Sequence, residues 1–414
     1  TYYSARSDFF FQVVFVATAM SIISGAVAER IKLWSFLLFA VVMTGFIYPI
    51  QGSWSWGHNG FLGDMNFIDF AGSGIVHMCG AAAALAGVIL LGPRSGRYNE
   101  DGSINAMPGA NMPLATLGTF ILWFGWYAFN AGSTIGMWEG APVVAARCCV
   151  TTTLSAAACA ITNVIIHYYI SGGEYSLGAT LNGVLGGLVS ITAGCPVVEP
   201  GMAVIIGMVG AVVYTSWSYF MLFLKIDDVV DAVAVHGACG MWGVIAASLF
   251  AKGELSAEYS SVCIYHDDLT DCDGLFYGGN GKLLGMAFLE ITMIWLWVGI
   301  TMGVSFFAFD LMKLLRVSVQ DETYGLDASH HGGMDVDQIN LLGSDDLMLM
   351  RDEGAKLDKI ALLAMCIDQS VPPLPILAKF DEIAGPSGVI EDEAAYGQLL
   401  ELVRPGEVET VESA

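Results

Sequence analysis

The sequence predicts an all-α polytopic membrane protein, and three observations carry that expectation. Only 14% of the 414 residues are charged, against about a quarter in soluble domains, so much of the surface must face something other than water. Apolar runs long enough to cross a bilayer recur through the first three-quarters of the chain. The net charge of −24 comes mostly from acids in the last quarter, which leaves the hydrophobic part sparsely charged. No basic stripe is present, which excludes nucleic acid as a partner.

Nine spans follow from the hydrophobic pattern, at about 9–28, 33–50, 69–91, 113–133, 148–170, 177–193, 202–224, 229–250 and 283–309. The sixth, "LGATLNGVLGGLVSITAG", is short and glycine-rich, as suits a helix packed closely among others. Arg30 and Lys32, Arg94 and Arg97, Lys225, and Lys313 and Arg316 follow odd-numbered spans and so share one side. Positive residues mark the cytoplasmic side. Residue 1 is therefore expected outside and the C-terminal tail inside. Two regions result: a membrane region, 1–316, and an acidic tail, 317–414, with "SVPPLP" and "AGPSG" punctuation.

The cysteines are scattered without metal-ligand spacing, so neither a metal nor a cofactor is expected. Cys263 and Cys272 share one polar loop and form a disulfide if that loop faces an oxidising side.

Two passages carry unusual chemistry. "DFAGSGIVH" runs from Asp69 to His77, and "DVVDAVAVH" from Asp228 to His236. Each sets an acid eight residues before a histidine, with a cysteine and a glycine soon after. Ionisable groups at membrane depth are costly and usually face a pore or one another. Matching helices of opposite direction also fit an inverted repeat with the site between its halves. The plainer readings are a core histidine bonded to a backbone carbonyl and an acid capping a helix. Capping suits Asp69, which opens its span. A second cluster is aromatic: Phe11 and Phe15, Trp54 and Trp56 in the loop after span two, and Trp126, Phe129 and Ser133 in "LWFGWYAFNAGS". Such residues form interfacial belts, but their faces also hold small cations for about 0.5–2 kcal/mol, and a serine hydroxyl accepts from an N–H donor.

"GAVAER", "DFAGSGIVHMCG", "WFGWYAFNAGS", "DDVVDAVAVHGACGMWG" and "LLRVSVQDETYGLDASHHGG" together resemble the Amt/Mep/Rh ammonium transporters, most closely those of plants and algae. The resemblance covers about residues 8–333. It implies eleven transmembrane helices, an inverted repeat of five plus five and a homotrimer with one pore per subunit in the plasma membrane. The nine spans then correspond to helices three to eleven, and the chain is expected to lack an N-terminal portion. Residue by residue, the resemblance implies that Phe15, Trp56, Ser133 and Asp69 recruit ammonium from outside, with Asp69 organising the site. It implies that Phe15 and Phe129 form a stacked gate, that Trp126 lines the pore beside the twin histidines His77 and His236, and that Asp228 is the structural counterpart of Asp69. Ser329 stands where plant relatives carry a threonine open to a kinase.

The expected activity is electrogenic transport of ammonium, not enzymatic catalysis, with membrane lipid as the surroundings. Three other readings compete. A Rh-like channel for neutral NH3 or CO2 would leave Trp56 and Ser133 without purpose. An ammonium sensor-transporter would use the tail for signalling. A bis-histidine haem protein fits poorly with the small residues around the histidines, Gly72, Gly80, Ala81, Gly237 and Gly240.

Overall fold

The computed structural model describes residues 4–65, 67–258 and 269–330, with 357–358, 380 and 389–390 beyond them. Two compact units divide the chain, residues 1–316 and 317–414. Among the described residues the first is a bundle of nine principal helices: α1 (Ala5–Val27), α2 (Leu33–Trp56), α3 (Ser73–Leu91), α4 (Met112–Gly132), α5 (Ala141–Ile170), α6 (Leu177–Thr192), α7 (Pro200–Phe223), α8 (Val233–Phe250) and α9 (Lys282–Leu311). All except α6 are long and apolar enough to cross a membrane.

Two boundaries differ most from the sequence reading. α2 runs on to Trp56 through a π-helical stretch, Met43–Ile47, so Trp54 and Trp56 ride on its last turn instead of in a loop. α5 starts at Ala141, because Pro142 fits the first turn of a helix. α6 ends at Thr192, within one residue of the expected span, and is as short as that span. The buried segment after it is satisfied from α5: Arg147 donates to Pro196 O at 2.8 Å and Thr151 to Cys195 O at 2.9 Å.

Local sequence explains the helix ends. Ser4, Asn111 and Ser176 cap α1, α4 and α6 by accepting N–H bonds three residues on. At the centre, α3 and α8 are the most deeply buried of the long helices. They meet through small residues: a side-chain carbon on Gly240 would lie 2.6 Å from Ser73 O, so only glycine permits this approach. Both helices open with a π-helical turn, Ser73–Met78 and Val233–Ala238, and each turn contains its histidine. π-turns cluster at functional sites. Entry to each turn passes through a left-handed residue, Gly72 (φ 99°) or Asp231 (φ 57°).

A cluster of basic residues holds one end of the bundle together. Arg30, 0% exposed, donates to Gly92 O at 2.9 Å and Asp227 O at 2.7 Å. Arg94 forks onto Asp227 at 2.8 and 3.0 Å and reaches Glu29 at 2.8 Å. Arg316 bonds Leu91 O, and Lys32 bonds Lys313 O. Burial alone would lift Asp227 and lower Arg94. Their mutual hydrogen bonds reverse both tendencies and hold the Asp227 carboxyl below the usual carboxylate range and the Arg94 guanidinium above its own.

In the second unit, Ser318 caps a short helix, Val319–Tyr324, and Ser329 lies exposed on the next, Leu326–His330, donating to Gly325 O at 3.1 Å. Leu357–Asp358 and Val389–Ile390 pair as a two-stranded antiparallel ribbon. Cys263 lies outside the described residues; Cys272 is disulfide-bonded.

Candidate functional site: an aromatic vestibule above a pair of stacked histidines

At the end away from the Arg30–Arg94–Arg316 cluster, a cavity of about 710 Å³ opens between α1, α2, the segment before α3 and the end of α4. Phe11, Trp56, Asp69, Phe70 and Ser133 are among its lining residues. Trp56 donates its indole N–H to Asp69 O at 3.0 Å, so the ring offers the cavity its π face and not its donor. Ser133, just past the end of α4, donates to Phe129 O at 2.8 Å, which leaves its oxygen lone pairs to accept from a visiting N–H.

Asp69 sits below this wall, 4% exposed. Oδ1 accepts from Gly72 N (3.1 Å) and Ser73 N (2.8 Å), and Oδ2 from Gly74 N and Ile75 N, both at 2.9 Å. Four N–H groups at the head of α3 thus converge on one carboxylate, which also meets the positive end of the helix dipole. This is why an acid is tolerated here: its charge is solvated by backbone.

Phe15 does not form part of the cavity wall. It lies behind Phe11 and Trp56, at ring separations of 4.3 and 5.7 Å, and stacks on Phe129 at 4.1 Å with 17° between planes. Phe129 stands 5.4 Å from His77. His77 stacks between Trp126 (4.9 Å, 13°) and His236 (5.2 Å, 18°). Trp126 is fixed by its N–H to Thr192 Oγ1 at 2.9 Å. A file of rings therefore runs from the vestibule to the middle of the bundle. His77 is fully buried, yet neither ring nitrogen has a hydrogen-bond partner, and His236 Nδ1 has none. A core histidine satisfied by a carbonyl would show such a partner. These nitrogens instead have no protein group to bond.

The second acid is held differently. Asp228 Oδ2 accepts from Val233 N at 2.7 Å, while Oδ1 has no partner. Asp231 beside it accepts from the hydroxyls of Tyr214 and Ser218, each at 3.0 Å.

Sequence reasoning placed Phe11 in the aromatic cluster but missed Asp231 with its two hydroxyls and Glu290, a buried acid within α9. Glu290 was open to the same argument that singled out the histidines, an ionisable group inside an apolar span. Among the described residues no group of His, Cys, Asp and Glu is arranged to hold a metal.

These features define a multi-pass membrane protein with an aromatic-walled cavity above a pair of buried, stacked histidines. The Ammonium Transporter Family matches residues 2–336, and the chain belongs to that family. It is 41% identical to "Ammonium transporter 1 member 1" of Arabidopsis thaliana over 345 residues, 79% of this chain and 68% of that protein. It is 38% identical to "Ammonium transporter 3" of Dictyostelium discoideum over 333 residues, covering 80% and 75%. Among solved structures it superposes on a "Sensor Amt Protein" with TM-score 0.69 at 34% identity, covering 78% of this chain and 76% of the other. With Mep2 of Candida albicans the TM-score is 0.67 at 26% identity, covering 82% and 69%.

Proposed function

We propose that the vestibule recruits ammonium from outside the cell and that the stacked histidines carry its components inward. The reading rests above all on two imidazoles side by side at mid-bundle with open nitrogens. Trp56 and Phe11 present π faces to the cation and Ser133 an acceptor, while Asp69 fixes the wall that holds them. Cation–π contact contributes up to about 2 kcal/mol where water is excluded. That falls short of the several kcal/mol needed to take a bare cation through an apolar pore. Loss of the proton removes most of this cost. The N–H bond breaks, ammonia passes the Phe15–Phe129 pair as a neutral molecule, and the proton moves along the neutral imidazoles of His77 and His236 beside Trp126. Both cross, so uptake is electrogenic. Potassium has no proton to give and is rejected.

The same reading makes residues 1–316 the transport region of a homotrimer in the plasma membrane, surrounded by lipid, with residue 1 outside and the arginine end and tail 317–414 in the cytoplasm. The tail is regulatory, with Ser329 the hydroxyl offered to a kinase. The protein is a transporter and not an enzyme.

The test is current recording during ammonium addition to cells expressing the His77→Ala/His236→Ala double variant. Loss of ammonium current or leakage of potassium is expected. Unchanged electrogenic uptake with potassium still rejected would end the relay reading. Ammonia flux without current in the unaltered protein would favour a channel for the neutral gas.

A further inference from the structure

Glu290 is 1% exposed in the middle of an apolar helix, and neither carboxyl oxygen has a hydrogen-bond partner. A side-chain carbon built on Gly74 would lie 2.5 Å from Glu290 Oε2 and 3.2 Å from Asp69 Oδ2. The two carboxyls therefore flank a single glycine at the head of α3. Their surroundings are unequal. Asp69 receives four backbone N–H bonds, and Glu290 receives none.

No cation offsets the pair. Among the described residues neither acid has an ion-pair partner. The other titratable groups near it are the Tyr48 hydroxyl on α2 and the thiols of Cys79 on α3 and Cys195 after α6. None of these supplies positive charge. Ser55 of α2 stands beside Glu290, its hydroxyl able to turn toward the carboxyl. Two like charges at this spacing in an apolar interior repel strongly, and paired carboxyls elsewhere resolve this by holding one proton between them.

We propose that Glu290 is a positioning residue for the vestibule site, carrying the one proton of an Asp69–Glu290 pair. Asp69, solvated by four N–H groups, keeps the charge; Glu290 stays neutral beside it. The pair then holds the head of α3 and, through the Asp69 carbonyl, the indole of Trp56. When the proton leaves at alkaline pH, the second charge pushes Asp69 and α9 apart, Trp56 moves with it, and cation affinity falls.

The inference rests on the recruitment reading above, and the two fail separately. Methylammonium is the probe, because it stays protonated into the alkaline range. In the unaltered protein KM is expected to rise severalfold at alkaline pH. Glu290→Gln, which keeps the shape and a donor, should hold the neutral-pH KM and lose that rise. Glu290→Leu should raise KM at every pH. Infrared difference spectra should show the carbonyl band of a protonated carboxylic acid that Glu290→Gln removes. The proposal is overturned if Glu290→Gln keeps the alkaline rise, or abolishes uptake while the purified protein stays folded and monodisperse. Uptake that requires sodium in the unaltered protein but not in Glu290→Gln would overturn it too, by assigning the pair to a metal cation. An unchanged KM in Asp69→Asn would instead sink the recruitment reading.

Discussion

The two arms that meet at the stacked histidines share a plan and differ in how they hold their acids. Each has an acid eight residues before a histidine, a left-handed residue three after the acid, and a π-helical turn around the histidine. In the vestibule arm four N–H bonds converge on the Asp69 carboxylate, and the left-handed position is Gly72, which adopts it at little cost. In the arginine arm Asp228 accepts one N–H bond, and the left-handed position is Asp231, whose carboxylate is tied to Tyr214 and Ser218. One arm is a saturated cap beneath a ligand-sized cavity. The other is looser and is backed by the Arg94–Asp227 network. The difference teaches that a repeat in sequence fixes backbone geometry before it fixes chemistry.

Removing the two acids separately gives the largest expected contrast. Asp69→Ala strands four N–H groups and Asp228→Ala one, at about 1–3 kcal/mol for each buried donor left unsatisfied. Asp69→Ala should therefore lower the melting temperature of the detergent-purified protein by several degrees more than Asp228→Ala. Equal losses would erase the distinction between the arms.

A smaller effect should appear at the arginine end. The Asp227 carboxyl is held below its ordinary value, so its contribution is present above about pH 4 and lost as pH falls through the lower folded value. Asp227→Asn should melt earlier than the unaltered protein at neutral pH, and the gap should close on acidification. A gap that persists in acid would show that the carboxylate charge is not what binds this end together.

The smallest contrast is between two hydroxyls. Ser133→Ala removes an acceptor from the vestibule and should raise KM for methylammonium several-fold, an effect of about 1 kcal/mol. Ser218→Ala, at the other arm, removes one donor from Asp231 and should leave that KM alone. A larger KM effect from Ser218 would place recruitment at the wrong end.

Much of this was legible before any coordinates. The nine helices follow from apolar run length, and the paired arms from the spacing of Asp69, His77, Asp228 and His236, because an ionisable group in an apolar span is too costly to be incidental. The exit of Trp56 from a loop onto α2 was not legible, since a π-helical stretch lengthens a helix without a composition signal. Nor was the displacement of Phe15 from the cavity wall to a place behind Phe11.

The sequence by itself determined which segments leave water and which residues are expensive there, because both depend only on local composition and on the energy of burying charge. Only the tertiary structure decided what offsets that expense. Four N–H groups on Asp69, none on Glu290, and two histidine rings 5.2 Å apart are set by how α3 crosses α8 and α9. A crossing depends on contacts between residues far apart in the chain, and no local pattern encodes it.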